Sequence, residues 1–167
     1  LDLLLAGASL ARYGDGEFNL CRGQPAKAQA MDALLRSRLQ TILSTSGDCL
    51  VGIPNRHSKT PKHYFWQKQA EIAARFLPRS SRSFVSSFIT RPDSAPWIHR
   101  PDYWGALELI WKDRDVTLVH GGRHGLTPAD LSGATVVHEI VAPARDAWAG
   151  YDALLEAIGR PELALIC

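Results

Sequence analysis

The chain has 167 residues, 46% of them apolar and 22% charged, with a formal net charge of +2 at pH 7. That is enough for one domain with a full core, and no tract is polar enough for disorder. The mild charge lacks the dense basic face of a nucleic-acid binder, and no apolar run nears the roughly 18 residues of a membrane helix. Cys21, Cys49 and Cys167 form no CxxC pair, which argues against structural zinc and fits a reduced, cytoplasmic setting.

The elements alternate. "SLARY" (9–13) reads as a short strand running into the Gly14–Gly16 turn. Apolar residues at helical spacing predict an amphipathic helix over 28–43, broken by Gly47. "CLVGIP" (49–54) is a compact strand, and 63–77 a helix ended by Pro78. "SFVSSFI" (83–89) is a strand, followed by an irregular, proline-rich loop to Pro101. "DYWGALELIW" (102–111) is a helix with Asp102 as its N-cap. "DVTLVH" (115–120) and "TVVHEIVAP" (135–143) are strands. A helix spans 146–158, and "ELALIC" is a last strand. The expected fold is α/β: a Rossmann-like open, mostly parallel sheet with helices on both faces, in one domain over 1–167. A start at Leu1 and an end within a strand suit a piece of a longer polypeptide.

In such sheets ligands sit at the carboxyl ends of the strands. That rule selects the loops after 13, 53, 120 and 143. They carry Arg12, Asp15, Glu17, Asn55, Arg56, His57, His120, Arg123, His124, Arg145 and Asp146.

"SLARYGDGEFNLCRG" is the most informative stretch. Asp15 and Glu17 flank Gly16, and two nearby acids suit a hard divalent cation, Mg²⁺ or Mn²⁺, completed by substrate phosphates. Gly14 and Gly16 would permit the bend and a close phosphate, and Arg12 could add a charged contact. The same residues suit a plain turn, with Asp15 capping a short helix over 16–21 and Glu17 in its first turn. Spacing alone leaves both readings open.

The other candidates divide similarly. Arg123, between a strand and Gly125, suits either a phosphate or a surface ion pair. His120 and His124 are four apart, but the intervening glycines disfavour a helical two-His metal face. His138 reads as a structural residue within a strand. Asp146 suits either a general base or a helix N-cap. Trp148 and Tyr151 are expected to pack on the sheet, Trp97 is a sugar-stacking candidate, and Arg75, Arg79 and Arg82 read as a solvated face.

The opening motif, Gln29, the helix "MDALLRSRLQTIL" and "CLVGIP" together resemble the GT-D-type glycosyltransferases, a group first catalogued as a domain of unknown function. "YWGALELIWKDRDVTLVHGGRHGL" and "IVAPARDAWAGYDALLEAI" resemble later segments of that family, collinear from Ser9 onward. The loop "GGRHGLTPADL" keeps Arg123, Gly125 and Asp130 but not the Asn-Asp pair of many members. The resemblance implies a Rossmann-like fold, a nucleotide-sugar donor (typically a UDP-sugar) and a glycan or glycoprotein acceptor. It further implies a divalent metal on the donor diphosphate, with Asp15 and Glu17 as its ligands. Arg12, Gly14, Gly16 and Arg123 would line the donor, and Asp146 would serve as base. A metal-dependent nucleotide or phosphate hydrolase and a non-catalytic binding module are the alternatives.

Overall fold

The computed structural model describes residues 2–45, 47, 49–54, 71–72, 74–75, 83–87, 101–121 and 126–166. The chain divides into two compact units, Leu1–Tyr103 and Trp104–Cys167.

The first unit holds α1 (Asp2–Leu5), β1 (Leu10–Arg12), α2 (Asp15–Cys21), α3 (Ala33–Ser44), β2 (Leu50–Ile53) and β3 (Val85–Ser86). Its three strands form a parallel sheet in the order β1-β2-β3, with Arg12 opposite Gly52 and Gly52 opposite Val85. The core is Tyr13, Phe18, Cys21, Leu43, Val51 and Ile72. Three of these, Tyr13, Phe18 and Cys21, come from the opening motif itself, and the rings of Tyr13 and Phe18 pack 5.7 Å apart at a tilt of 48°. The Tyr13 hydroxyl donates to the Leu39 carbonyl of α3 at 2.9 Å. At the far end of α2, Arg36 and Gln40 of α3 both donate to the Cys21 carbonyl, satisfying an acceptor the helix leaves open.

α3 starts later than its apolar spacing predicts. Asp32 accepts the Leu35 N–H at 2.8 Å and its backbone is extended, so it is the N-cap and residues 28–32 stay outside. A carboxylate that satisfies an orphan helix donor outweighs a weakly periodic lead-in. Most of the helix predicted over 63–77 lies outside the described residues.

The helix α4 (Pro101–Glu108) bridges the division of the chain. It begins at Pro101, so Asp102 lies in its first turn rather than at its cap; proline, with φ already set and no N–H to lose, suits a first helical position.

The second unit holds β4 (Asp115–His120), β5 (Val136–Val141), α5 (Tyr151–Ile158) and β6 (Leu163–Ile166). These strands form a second parallel sheet in the order β5-β4-β6. Every residue of β4 after Asp115 is buried, as its β-branched run suits a central strand, whereas β5 and β6, at the edges, bury none of their residues fully. Val116, Leu118 and Leu131 form its core. The helix predicted over 146–158 opens instead as a 3-10 turn (Ala147–Gly150) before α5. Both sheets are parallel and carry helices, as the α/β expectation required. No helix among the described residues is long and apolar enough to cross a membrane.

Candidate functional site

The acidic motif follows directly from the carboxyl end of β1. Gly14 is the extended N-cap of α2, and Asp15, Gly16 and Glu17 are its first three residues. The helical alternative for this stretch is thus correct in form, with the cap one residue earlier. The turn does not depend on unusual glycine conformations: Gly14 has φ −106°, and a Cβ on Gly16 would meet Ala26 at an ordinary 3.4 Å.

Two residues apart on a helix, side chains diverge by about 200°, so helical spacing alone does not make these acids converge. Glu17 folds back along the helix toward its N-terminus. Its Oε2 accepts the Gly14 N–H at 2.7 Å, reaching the N-terminal rim from which Asp15 projects. Gly14 has no side chain to complete a reciprocal capping box, so the bond is one-sided. Oε1 of Glu17 and the exposed Asp15 carboxylate have no hydrogen-bond partner among the described residues. The capping bond therefore orients one carboxylate while leaving an oxygen available, as hydrogen bonds do for ligating carboxylates in metal sites.

No cluster of three or more His, Cys, Asp or Glu suited to a metal occurs among the described residues. A two-carboxylate donor set still fits Mg²⁺ or Mn²⁺, which retain waters and share substrate phosphates, and does not fit zinc. The site is also rigidly mounted: Tyr13 and Phe18, immediately before and after the Gly-Asp-Gly-Glu run, are both buried. Sequence reasoning singled out the acids and passed over these two anchors, although aromatics bracketing a polar run are a legible signal.

Arg12 ends β1, exposed, and its Nη1 reaches the Ser87 carbonyl just beyond β3 at 3.5 Å. Its charge also acts on Tyr103, whose hydroxyl pKa is raised by burial and partly lowered again by the guanidinium. Arg12 thus stands at the carboxyl ends of two strands of the sheet that carries the acids. At the end of α2, Cys21 is buried, and its thiol pKa is pushed up to about 11, chiefly by desolvation and next by the Glu17 charge, against a lowering by Arg36. A thiol so held is protonated and inert.

In the second unit, Asp146 follows β5 and holds a left-handed backbone, φ 51° and ψ 39°. Aspartate tolerates that region better than most residues, at about 1 kcal/mol. It is the N-cap residue of the 3-10 turn, its carbonyl accepting the Ala149 N–H at 2.9 Å, though its side chain makes no capping bond. His120 ends β4, buried, with Nε2 2.7 Å from Glu139 Oε1. His138 lies within a strand, β5, as expected, with an exposed side chain; it lines an open cavity of about 460 Å³ with Thr117 and Arg160. Trp148 and Tyr151 pack on each other, with ring centroids 4.9 Å apart. Arg123, His124, Trp97 and residues 55–57 lie outside the described residues.

Residues 10–166 match the family model described as "Glycosyltransferase GT-D fold". The chain is similar to a "Probable glycosyl transferase Gly" of Streptococcus gordonii, 29% identical over 177 residues. That match covers 95% of this chain and 25% of the relative. It is also similar to "Glycosyltransferase GlyD" of Streptococcus pneumoniae serotype 4, 25% identical, over 84% of this chain and 19% of that protein. The chain therefore spans about a quarter or less of these relatives. Among solved structures it superposes with a TM-score of 0.79 on a domain of unknown function 1792 described as having a distinct glycosyltransferase fold. Identity is 28%, over 95% of this chain and 63% of that one. A glycosyltransferase of the same domain from Streptococcus sanguinis gives 0.76 at 27% identity, over 94% and 64%.

Proposed function

Because the chain belongs to the GT-D-fold glycosyltransferase family, we propose that it moves a sugar from a UDP-sugar to an acceptor hydroxyl on a glycan or glycoprotein, with a divalent cation, Mn²⁺ or Mg²⁺, at Asp15 and Glu17. The observation that supports this reading is the folded-back Glu17: Oε2 is spent on Gly14 N–H while Oε1 has no hydrogen-bond partner among the described residues, and Asp15, two residues before it, is exposed. A cation bound there would neutralise charge on the departing diphosphate. Arg12, and Arg123 from the loop after β4, are proposed to add charged hydrogen bonds to the same group. The bond between the anomeric carbon and the diphosphate oxygen breaks as the acceptor oxygen bonds to that carbon. Asp146 is proposed to take the hydroxyl proton.

The test is titration calorimetry of UDP with and without Mn²⁺ on the wild type and Asp15→Ala. The wild type should bind UDP more tightly with Mn²⁺, and the variant should lose that gain. Equal Mn²⁺-dependent affinity in both would remove the metal assignment. Release of free sugar with no transfer to any acceptor would favour a hydrolase.

A further inference from the structure

His120 is a buried polar residue, 7% exposed, at the carboxyl end of the central strand of its sheet. Its Nε2 meets Glu139 Oε1 at 2.7 Å, and Glu139 sits opposite Leu118 on β5, so the pair clasps two strands diagonally on one face. The contact is unequal, for the His120 side chain is 9% exposed and that of Glu139 45%. With a carboxylate as its neighbour, Nε2 must carry the hydrogen, so Glu139 sets the ring's orientation and the position of that proton.

The main chain extends the clasp. The His120 carbonyl accepts the Ala142 N–H at 2.9 Å, one residue beyond β5. A Cβ on Gly121 would lie 3.7 Å from Ala144 Cα, so the two strand-end turns run in contact. Two residues further on, Asp146 holds its left-handed backbone. A polar pair at a strand end adds little stability over well-packed apolar side chains; its advantage lies in fixing one geometry.

We infer that His120 is a positioning residue: clasped to Glu139, it sets the turn over 142–146 that presents Asp146. The inference rests on the reading of Asp146 as the base. His120 itself need not touch the substrate.

The experiment uses the full chain with His120→Ala, Glu139→Ala, the double variant and His120→Gln. Release of UDP is followed from UDP-glucose, UDP-galactose and UDP-N-acetylglucosamine, and amide exchange is followed at Ala142. Each single alanine variant should lower kcat about tenfold, as loss of an orienting partner typically does, with donor KM within about twofold. The double variant should lose no more than either single one, because both remove the same contact. His120→Gln, which can still donate to Glu139, should recover most of the rate. Wild-type kcat in both single variants, multiplicative losses in the double variant, or an effect confined to KM would overturn the inference. If the wild type consumes none of the donors, the calorimetric test of UDP with Mn²⁺ decides the sugar-transfer reading separately, and exchange still tests the clasp. The Ala142 amide should then exchange about tenfold faster in Glu139→Ala at an unchanged melting temperature. Unchanged exchange would overturn the clasp.

Discussion

Glu17 has two tasks that substitution can separate. Its Oε2 accepts the Gly14 N–H at 2.7 Å, a short, charge-assisted bond at a helix N-terminus. Such bonds contribute about 1.5–3 kcal/mol when well enclosed and about 1 kcal/mol as exposed caps. Glu17 is half-buried, so Glu17→Ala should cost about 1–2 kcal/mol. Glu17→Gln keeps an acceptor oxygen and loses only the charge, including its favourable place at the positive end of α2. That should cost about 0.5–1 kcal/mol. Asp15 is exposed with no side-chain partner among the described residues, so Asp15→Ala should stay within about 0.5 kcal/mol. Metal-dependent UDP binding should follow a different order: all three variants should lose it, Glu17→Gln as severely as Glu17→Ala, because a neutral amide is a poor partner for a hard cation. Urea unfolding followed by circular dichroism gives the first series, and calorimetry with Mn²⁺ and UDP the second. Losses of 1–2 kcal/mol leave a domain of ordinary stability almost wholly folded, so lost binding would not reflect unfolding. Glu17→Gln as unstable as Glu17→Ala would refute the hydrogen-bond account. Retained Mn²⁺-dependent binding in Glu17→Gln would refute the ligand account and leave Glu17 as a cap alone.

Two further outcomes follow from packing and burial. A Cβ on Gly52 would sit 3.1 Å from the Ser87 Cα across the β2–β3 pairing, where backbone has no room to give, so Gly52→Ala should lose about 1–3 kcal/mol in urea; a wild-type midpoint would show that β3 moves aside freely. The Cys21 thiol keeps its proton to about pH 11 in the folded chain, against 9.0 when unperturbed. The folded state then binds more protons than the unfolded one between those values. Stability from this source is complete below about pH 9 and declines as pH rises toward 11. Cys21→Ala should show a shallower decline over that window, and parallel curves for both proteins would contradict the assigned burial.

Much of the architecture was legible along the chain because its signals are local. β4 is found at Asp115–His120, where a β-branched run announces a buried parallel strand. The acid pair was legible too, since Asp-Gly-Glu after a short strand is an unusual pattern whose chemistry is carried by the residue types. Boundaries moved where one side chain outweighed periodicity: Asp32 captured the Leu35 N–H and delayed α3, and Pro101 took the first helical position ahead of Asp102.

Other features required the third dimension. Nothing in the spacing of 120 and 139 announces that an imidazole and a carboxylate meet at 2.7 Å; parallel register across β4 and β5 brings them together. The same holds for Tyr13, whose hydroxyl finds a carbonyl 26 residues away in α3. The sequence by itself determined which elements form and which residues carry charge, because propensity, capping and pattern act over a few residues. Only the tertiary structure decided that Arg12 reaches the Ser87 carbonyl, that Asp146 takes a left-handed backbone with no side-chain capping bond, and that His138 is exposed. Those outcomes depend on which donors, acceptors and apolar surfaces the fold brings within reach of one another.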